Sequence, residues 1–489
     1  MRPHTVAVLA SVLLTAPAVH GTTRRAVWSD LPTAVQRHLA AQGIETSDFS
    51  STLERIEKET VNRLRDGDWE ALVYYALQAR SFTSLPAIEP ALSAKMHHEQ
   101  RAVPADAQAR LDALADVLRE KRGLPSFSHR QEVKTRAVPV SPDERLEYFR
   151  DLVAGDPRVS VRGLAPVLAA EYERVMRFLY DKEFAAAREK RDVATDAGAS
   201  LYQQRGYSTD TGVEAGYAVR QALGVIQSLN PSARLRRVLV VGPGLTLASR
   251  TGLVDEIPPQ SYQPYGVLDD LLSLDLATVS EVTIDCVDIN PRVVSHIERL
   301  RTTQQAPALE LLSAVPDQSS APLTPEYRTY FGRWGRAIGS PVRASTPPLK
   351  RLPAHLHRSI RLSPDARARV HAARGNIITD RLEGPPYELV IATNLLTYFD
   401  EVELLLGLAN VAGIVAPGGH FVHNETRETL IEVADQIGLP IVHTRTVVFT
   451  QPTSSAEPLY DRIWIHQRST RKGLASTARS ANAPYHGRR

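Results

Sequence analysis

The chain is predicted to be an α/β protein: a doubly wound, mainly parallel sheet in its second half, preceded by an α-helical region. Three observations predict it. Apolar runs at 238–241, 282–287 and 389–392 each end in a polar or glycine-rich turn: Gly242-Pro243-Gly244, Asp288-Ile289-Asn290-Pro291 and Thr393-Asn394-Leu395. Helix-like stretches separate these runs, and strands alternating with helices build a parallel sheet covered on both faces. A last long apolar helix then reaches Pro417-Gly418-Gly419 and another strand, 420–423.

From the N-terminus, Arg2 precedes an uncharged, largely apolar stretch, 5–19, which ends in Val19-His20-Gly21. A basic start, a short apolar segment and small residues at a cleavage point read as a secretory signal over 1–21. This predicts export to the periplasm or beyond; a mis-assigned or uncleaved N-terminus would instead leave the chain in the cytoplasm, and a weak membrane anchor is the other reading of the segment. The stretch is short for a membrane helix, and no stable span is expected after cleavage. Residues 22–130 are expected to form a helical N-terminal domain, with helices at 31–40, 53–64, 69–79 and 105–121. Prolines force 82–90 to be extended.

Residues 131–234 are expected to form a helical connector and cofactor-lid segment, with a linker at 139–142 and helices at 143–153 and 164–190. Thr211 and Glu214 have capping-box spacing and predict a helix running to about 229, stopped by Asn230-Pro231. The sheet domain covers 235–467, with insertions near 251–273 and 303–364. Its last strands, 442–450 and 462–466, have no strong helix between them. The basic tail, 468–489, is expected to be disordered.

At 489 residues the chain can form two or three domains with a sizeable core. A net charge of only +3 argues against nucleic acid as a main partner. The single cysteine, Cys286, excludes an internal disulfide framework and a cysteine-rich zinc site. It falls in a predicted strand and reads as a core residue; no metal site is expected.

Open α/β sheets bind ligands at the carboxyl ends of their strands. Gly242 and Gly244 sit there and let the backbone approach a ligand. Asp288 ends the adjacent strand, where a carboxylate accepts ribose hydroxyls or, alternatively, caps the helix that Asn290-Pro291 starts. It lies 44 residues after Gly244, where about 20 is usual for dinucleotide folds. The excess is assigned to the insertion at 251–273, whose Tyr262 and Tyr265 read either as ligand contacts or as a packed surface loop. Gly375-Asn376-Ile377 follows a third strand, 368–372. Asp400 and Glu403 have capping-box spacing at the start of the next helix.

Together these segments, over 201–466, resemble the class I S-adenosylmethionine-dependent methyltransferases. The resemblance implies a Rossmann-like domain whose sheet ends in an antiparallel strand, S-adenosyl-L-methionine as cofactor, and an unidentified methyl acceptor, small molecule or protein side chain. It places Gly242, Gly244 and Thr246 in the glycine motif, Thr246 standing where a third glycine is usual. Val240 stands where an acidic residue usually meets the methionine ammonium. Asp288 takes the ribose. Asn376 takes the adenine edge with Ile377 on the ring, unless the pair is a simple turn.

By the same comparison Asn394 lies beside the transferring methyl. Tyr202, Arg205 and Tyr207 precede the first strand and fold over the pocket, or pack two domains together. His423, Asn424 and Glu425 end the fifth strand. His423 or Glu425 would serve as a base if the acceptor must lose a proton, or each is a satisfied polar residue. In the second insertion, Tyr327, Tyr330, Phe331 and Trp334 alternate with Arg333 and Arg336, as a lid or acceptor pocket or as the apolar face of an inserted helix. Two other readings stand beside methyl transfer. One is an inactive exported binding protein on this fold, which Val240 and Thr246 favour. The other is an NAD-dependent oxidoreductase, which the glycine turn and Asp288 favour and Pro417-Gly418-Gly419 opposes.

Overall fold

The computed structural model describes residues 23–119, 144–185, 201–248, 257–304, 306–343, 354–453 and 457–470. The signal-like segment 1–21, the linker at 139–142, residues 186–190 and the tail beyond 470 lie outside these. Before the main sheet come β1 (Thr23–Arg25), α1 (Thr33–Ala41), α2 (Phe49–Gln78), α3 (Pro90–Gln100), α4 (Ala105–Arg119), α5 (Glu144–Gly155), α6 (Pro157–Arg162), α7 (Leu164–Tyr180) and α8 (Val213–Leu229).

The alternating part contains β2 (Arg237–Val241), α9 (Gln263–Ser273), β3 (Thr283–Asp288), α10 (Pro291–Thr302), β4 (Leu309–Leu312), α11 (Pro325–Arg333), β5 (Gly339–Pro341), β6 (His357–Leu362) and α12 (Pro364–Ala368). After these come β7 (Val370–Arg374), β8 (Asp380–Leu382), β9 (Tyr387–Ala392), α13 (Glu401–Ile414), β10 (Val415–His423), α14 (Glu428–Gln436), β11 (Ile441–Val448) and β12 (Tyr460–Gln467).

The main sheet has seven strands in the order β7-β3-β2-β9-β10-β12-β11. β3 pairs parallel with β7 and β2, β2 with β9, and β9 with β10, whereas β12 runs antiparallel to both its neighbours. This is the expected Rossmann-like sheet with an antiparallel end. The chain leaves β2 in one direction through β3 and β7, then returns on its other side through β9 and β10. The carboxyl edge between β2 and β9 is therefore the topological switch point where such sheets take ligands.

Alternation sorts the strand residues between two cores. Val238 and Val240 face a core with α8, α9 and the second insertion, while Leu239 and Val241 face another with α1, α13 and α14. Cys286 is buried in the first of these, as a strand-core residue.

Several expectations are corrected. The two helices at 53–64 and 69–79 are one 30-residue helix, α2. Its Gly67 stays helical and forms a contact with Gly206, described below. The proline-bearing segment ends at residue 89: Glu89 caps α3, accepting from the Ala91 and Leu92 amides, with Pro90 in the first turn. Proline breaks a helix interior but favours its first position.

The boundary at 130 does not set off a separate body. Phe49, Leu53 and Ile56 of α2 share the core of Val241 and Phe421, whereas its second half packs with α3, α4, α5 and α7. β1 pairs antiparallel with β8, which further ties the N-terminal segment to the sheet domain. Finally, the insertion at 251–273 holds α9, the crossover helix between β2 and β3. Tyr262 and Tyr265 are 4% and 0% exposed and belong to the core.

The second insertion forms a three-stranded antiparallel sheet, β4-β6-β5, with α11 beside it. Tyr327, Tyr330, Phe331 and Trp334 are buried in the core with Tyr217 and Phe449. Arg333 and Arg336 are exposed. This is the apolar-face arrangement, and none of these aromatics lines the cleft described next. Glu214 does not cap α8, whose N-cap is Gly212 without a side-chain bond. Its carboxylate instead accepts from the Ala314 amide and the Tyr327 hydroxyl, fastening the insertion to the sheet domain. Among the described residues no helix is long and apolar enough to cross a membrane.

Candidate functional site

A cleft opens at the switch point, between the carboxyl ends of the strands and the segments that cover them. Its floor is Val241, Gly242 and Gly244 at the end of β2, Asp288 to Asn290 at the end of β3, Gly375 to Ile378 after β7, and Thr393 to Leu395 after β9. Its roof is Thr60 and Leu64 of α2, the segment Tyr207 to Thr211, and Tyr398 and Phe399.

Gly242 and Gly244 adopt φ of +64° and +74°, which only glycine takes without strain. A Cβ on Gly244 would lie 2.5 Å from the Thr209 carbonyl oxygen, so the roof segment rests directly on the glycine turn. The Leu245 amide donates to that carbonyl at 2.8 Å.

Asp288 is not the cap of α10; Asn290 is, accepting from the Arg292 amide. The Asp288 carboxylate accepts from the Asn290 amide at 2.8 Å, and the Gly244 amide also favours its charged form. Burial outweighs these two amides and pushes it up to about 7. Asn376 makes the turn, its Oδ1 accepting from the Ile378 amide at 3.0 Å, and it also lines the cleft with Ile377. Its Nδ2 reaches Thr60 Oγ1 of the roof at 3.4 Å. Asn394 takes φ +56°, a left-handed conformation that asparagine tolerates better than most side chains. A reciprocal pair with Asn424 holds it: the Asn394 amide donates to Asn424 Oδ1 at 2.8 Å, and Asn424 Nδ2 to Asn394 Oδ1 at 2.7 Å. Asp461, at the start of β12, lies within 3.4 Å of Asn424 Nδ2 and is pushed up by burial. It lies far along the chain from the glycine turn and carries no motif of its own.

Tyr207 lines the cleft; Tyr202 and Arg205 do not. Arg205 pairs with buried Glu70 and stacks on Phe178, and Tyr202 packs edge-on against Tyr398. These two take the packing role.

Three further candidates lie elsewhere. Thr246 is buried, its hydroxyl donating to the Thr211 carbonyl at 2.9 Å. It is the turn's anchor to the roof rather than part of the cleft surface. His423 is 0% exposed, with its Nε2 2.8 Å from His466 Nε2. Burial, then its neighbour His466, holds it well below the usual histidine range. A neutral imidazole enclosed in the sheet cannot reach an acceptor, so it is a satisfied polar residue. Glu425 accepts from the Thr426 amide at 2.8 Å and lies 3.6 Å from the Arg427 guanidinium. Arg427 in turn donates to the carbonyls of Leu396 and Phe399, so Glu425 braces the turn that ends in the roof.

Sequence reasoning missed the α2 contribution. Buried Arg63 donates to the carbonyls of Arg205, Tyr202 and Tyr398 and to the Tyr207 hydroxyl, and lies 3.5 Å from Glu403. One guanidinium thus joins α2, the pre-sheet segment and the turn after β9. Glu403 completes the predicted capping box with Asp400, and burial, then Asp400, pushes its carboxyl up to about 7. A Cβ on Gly67 would lie 1.8 Å from the Tyr207 carbonyl oxygen, and one on Gly206 would lie 2.3 Å from the Gly67 amide nitrogen. The two glycines let backbone meet backbone where roof and helix join.

No protein-family model matches the chain, and no curated protein matches it. Similar solved structures include the N-methyltransferase NodS from Bradyrhizobium japonicum WM9 in complex with S-adenosyl-L-homocysteine, 12% identical, covering 57% of this chain and 99% of that one with a TM-score of 0.27. Magnesium protoporphyrin IX methyltransferase from Synechocystis PCC 6803 with bound SAM is 10% identical, covering 59% and 94%, with a TM-score of 0.27. An O-methyltransferase family protein from Burkholderia thailandensis is 14% identical, covering 88% and 100%, with a TM-score of 0.25. At these scores the fold assignment rests on the strand order itself.

Proposed function

We propose that the cleft binds S-adenosylmethionine and that the protein transfers its methyl group to an acceptor. One observation carries this reading: Asp210 and Asp288 are the only charged side chains among the described residues lining the cleft. Carboxylates without lysine or arginine suit a ligand that carries positive charge and no phosphate. The switch-point position of the cleft and the Rossmann-like strand order support the same class.

The cofactor would supply an electrophilic methyl group on sulfur, which an acceptor lone pair displaces directly. Asp288 would accept the ribose hydroxyls and Ile377 would pack on the adenine. The glycine turn admits the chain of the ligand, and Asn394, fixed by Asn424, borders the end where the acceptor meets the methyl group. The protein's work is alignment. With His423 and Glu425 outside the cleft, the reading favours acceptors that need no base from the end of β10. Export, from the signal-like N-terminus, belongs to the proposal and is checked by sequencing the N-terminus of the mature protein.

Dinucleotide binding is disfavoured. In that fold the pyrophosphate sits on the N-terminus of the helix that the glycine turn opens. Here α9 begins at Gln263, and none of its residues lines the cleft. Calorimetric titration of the purified protein should give micromolar binding of S-adenosylmethionine and S-adenosylhomocysteine and none of NAD. Binding of NAD alone would overturn the reading. Binding of the first two without methyl transfer to any acceptor in a panel would leave the inactive binding protein.

A further inference from the structure

We propose that Asp210 holds the ammonium of the ligand's amino-acid end, a role the sheet itself leaves unfilled. The assignment rests on the S-adenosylmethionine reading above and names the residue that selects the amino-acid end.

The strand offers no carboxylate for this task. Val240 is fully buried on the face opposite the cleft, and Val241 is the β2 residue that lines it. The carboxylate comes instead from the roof. Residues 208–211 lie along the glycine turn and its exit, joined by the Leu245 amide to the Thr209 carbonyl and by the Thr246 hydroxyl to the Thr211 carbonyl. Asp210 sits between these two contacts and lines the cleft.

Its side chain is held in place. Oδ1 accepts from the Leu247 amide at 2.6 Å and the Ala248 amide at 3.2 Å. Oδ2 has no hydrogen bond within the protein among the described residues. The cations whose fields reach Asp210 are Arg145 and Arg205, and both make their close contacts elsewhere. Arg145 donates to the carbonyls of Leu247 and Ile257, and Arg205 pairs with Glu70. Burial pushes Asp210 up to about 6 despite these fields and two amide donors. An oriented carboxylate with one unused oxygen, set in a cleft without a basic side chain, matches a primary ammonium.

Asp210→Asn keeps the size and the acceptor for Leu247 and Ala248 while removing the charge. The test measures calorimetric affinities of wild type and variant for S-adenosylmethionine and for 5′-methylthioadenosine, which has the nucleoside without the amino-acid end. The variant should lose about tenfold to hundredfold in affinity for S-adenosylmethionine and keep its affinity for methylthioadenosine within about twofold. Equal losses for both ligands, or none for either, would overturn the assignment while leaving the methyltransferase reading in place. If wild type binds neither ligand, the reading falls and the assignment with it.

A second measurement needs no variant. Deamino-S-adenosylhomocysteine should bind wild type at least about tenfold more weakly than S-adenosylhomocysteine. Equal affinities would overturn the assignment even if Asp210→Asn fails to fold.

Discussion

The floor of the cleft takes Gly242, Asp288, Gly375 and Asn394 from the ends of four neighbouring strands, whereas the roof takes Thr60 and Leu64 from α2 and Tyr207 to Thr211 from the segment before the sheet. The floor is positioned by backbone pairing: β2 is bonded in register to β3 on one side and β9 on the other. The roof is positioned by side chains and close packing, chiefly Arg63 and the Gly67–Gly206 contact. Damage to the floor should therefore cost the whole sheet, while damage to the roof should cost ligand binding first.

The largest expected effect is on the strand that carries the floor. Val240→Asp buries a charge among apolar side chains and should destabilise the protein by about 4 kcal/mol or more. Urea denaturation should show the whole sheet domain unfolding at lower denaturant. A variant that stayed folded and bound ligand more tightly would mean the position 240 side chain can turn into the cleft.

Gly67→Val strikes the roof, where even the first added carbon meets the Tyr207 carbonyl. A destabilisation of about 3 kcal/mol is expected. Hydrogen exchange should rise in α2 and 202–211 while amides in β2, β3 and β9 stay protected. Uniform loss of protection would show that roof and floor are one cooperative unit. Arg63→Met should do the same more mildly, by about 2 kcal/mol, again with binding lost before the sheet.

A pH series sharpens the comparison, because Asp288 belongs to the floor and Glu403 partners the roof's Arg63. Both are raised to about 7 in the folded protein by burial. A carboxyl raised above its unfolded value binds more protons folded than unfolded between the two values. Its contribution is thus full below about pH 4 and is lost as pH rises through 7. Stability should fall between about pH 4 and pH 7, by on the order of a few kcal/mol for the two groups together. Asp288→Asn should flatten part of that slope; an unchanged slope would show that Asp288 is not the titrating group.

The smallest effect is expected at Glu425. Glu425→Gln keeps the acceptor for the Thr426 amide and should change stability by about 1 kcal/mol or less and methyl transfer by about twofold or less. A hundredfold loss of rate at unchanged affinity would restore Glu425 as the base.

Much of the floor was legible in the sequence because its cues are local. The run 238–241 and its glycine turn, Asp288 at a strand end and the Asp400–Glu403 cap all read correctly, since each depends on residues within a few positions. Where local spacing misled, a distant partner had won. Glu214 has capping spacing, yet its carboxylate goes to Ala314 and Tyr327. His423 stands at a strand end, yet β12 brings His466 against it. Thr246 stands in the glycine motif, yet the roof segment turns its hydroxyl away from the cleft.

By itself, the sequence determined the alternating sheet, the edge at which the cleft opens and most of the floor residues, because hydrophobic period and turn chemistry act over a few residues. Only the tertiary structure decided that α2 closes the cleft through Arg63 and Thr60, that Val240 faces the core, and that Asp210 is the second carboxylate lining the cleft. Those outcomes rest on contacts between segments far apart in the chain, such as Arg63 with Tyr398 and Asp210 with Leu247. No local pattern encodes such contacts; they follow from how the apolar faces of helices and sheet are buried together.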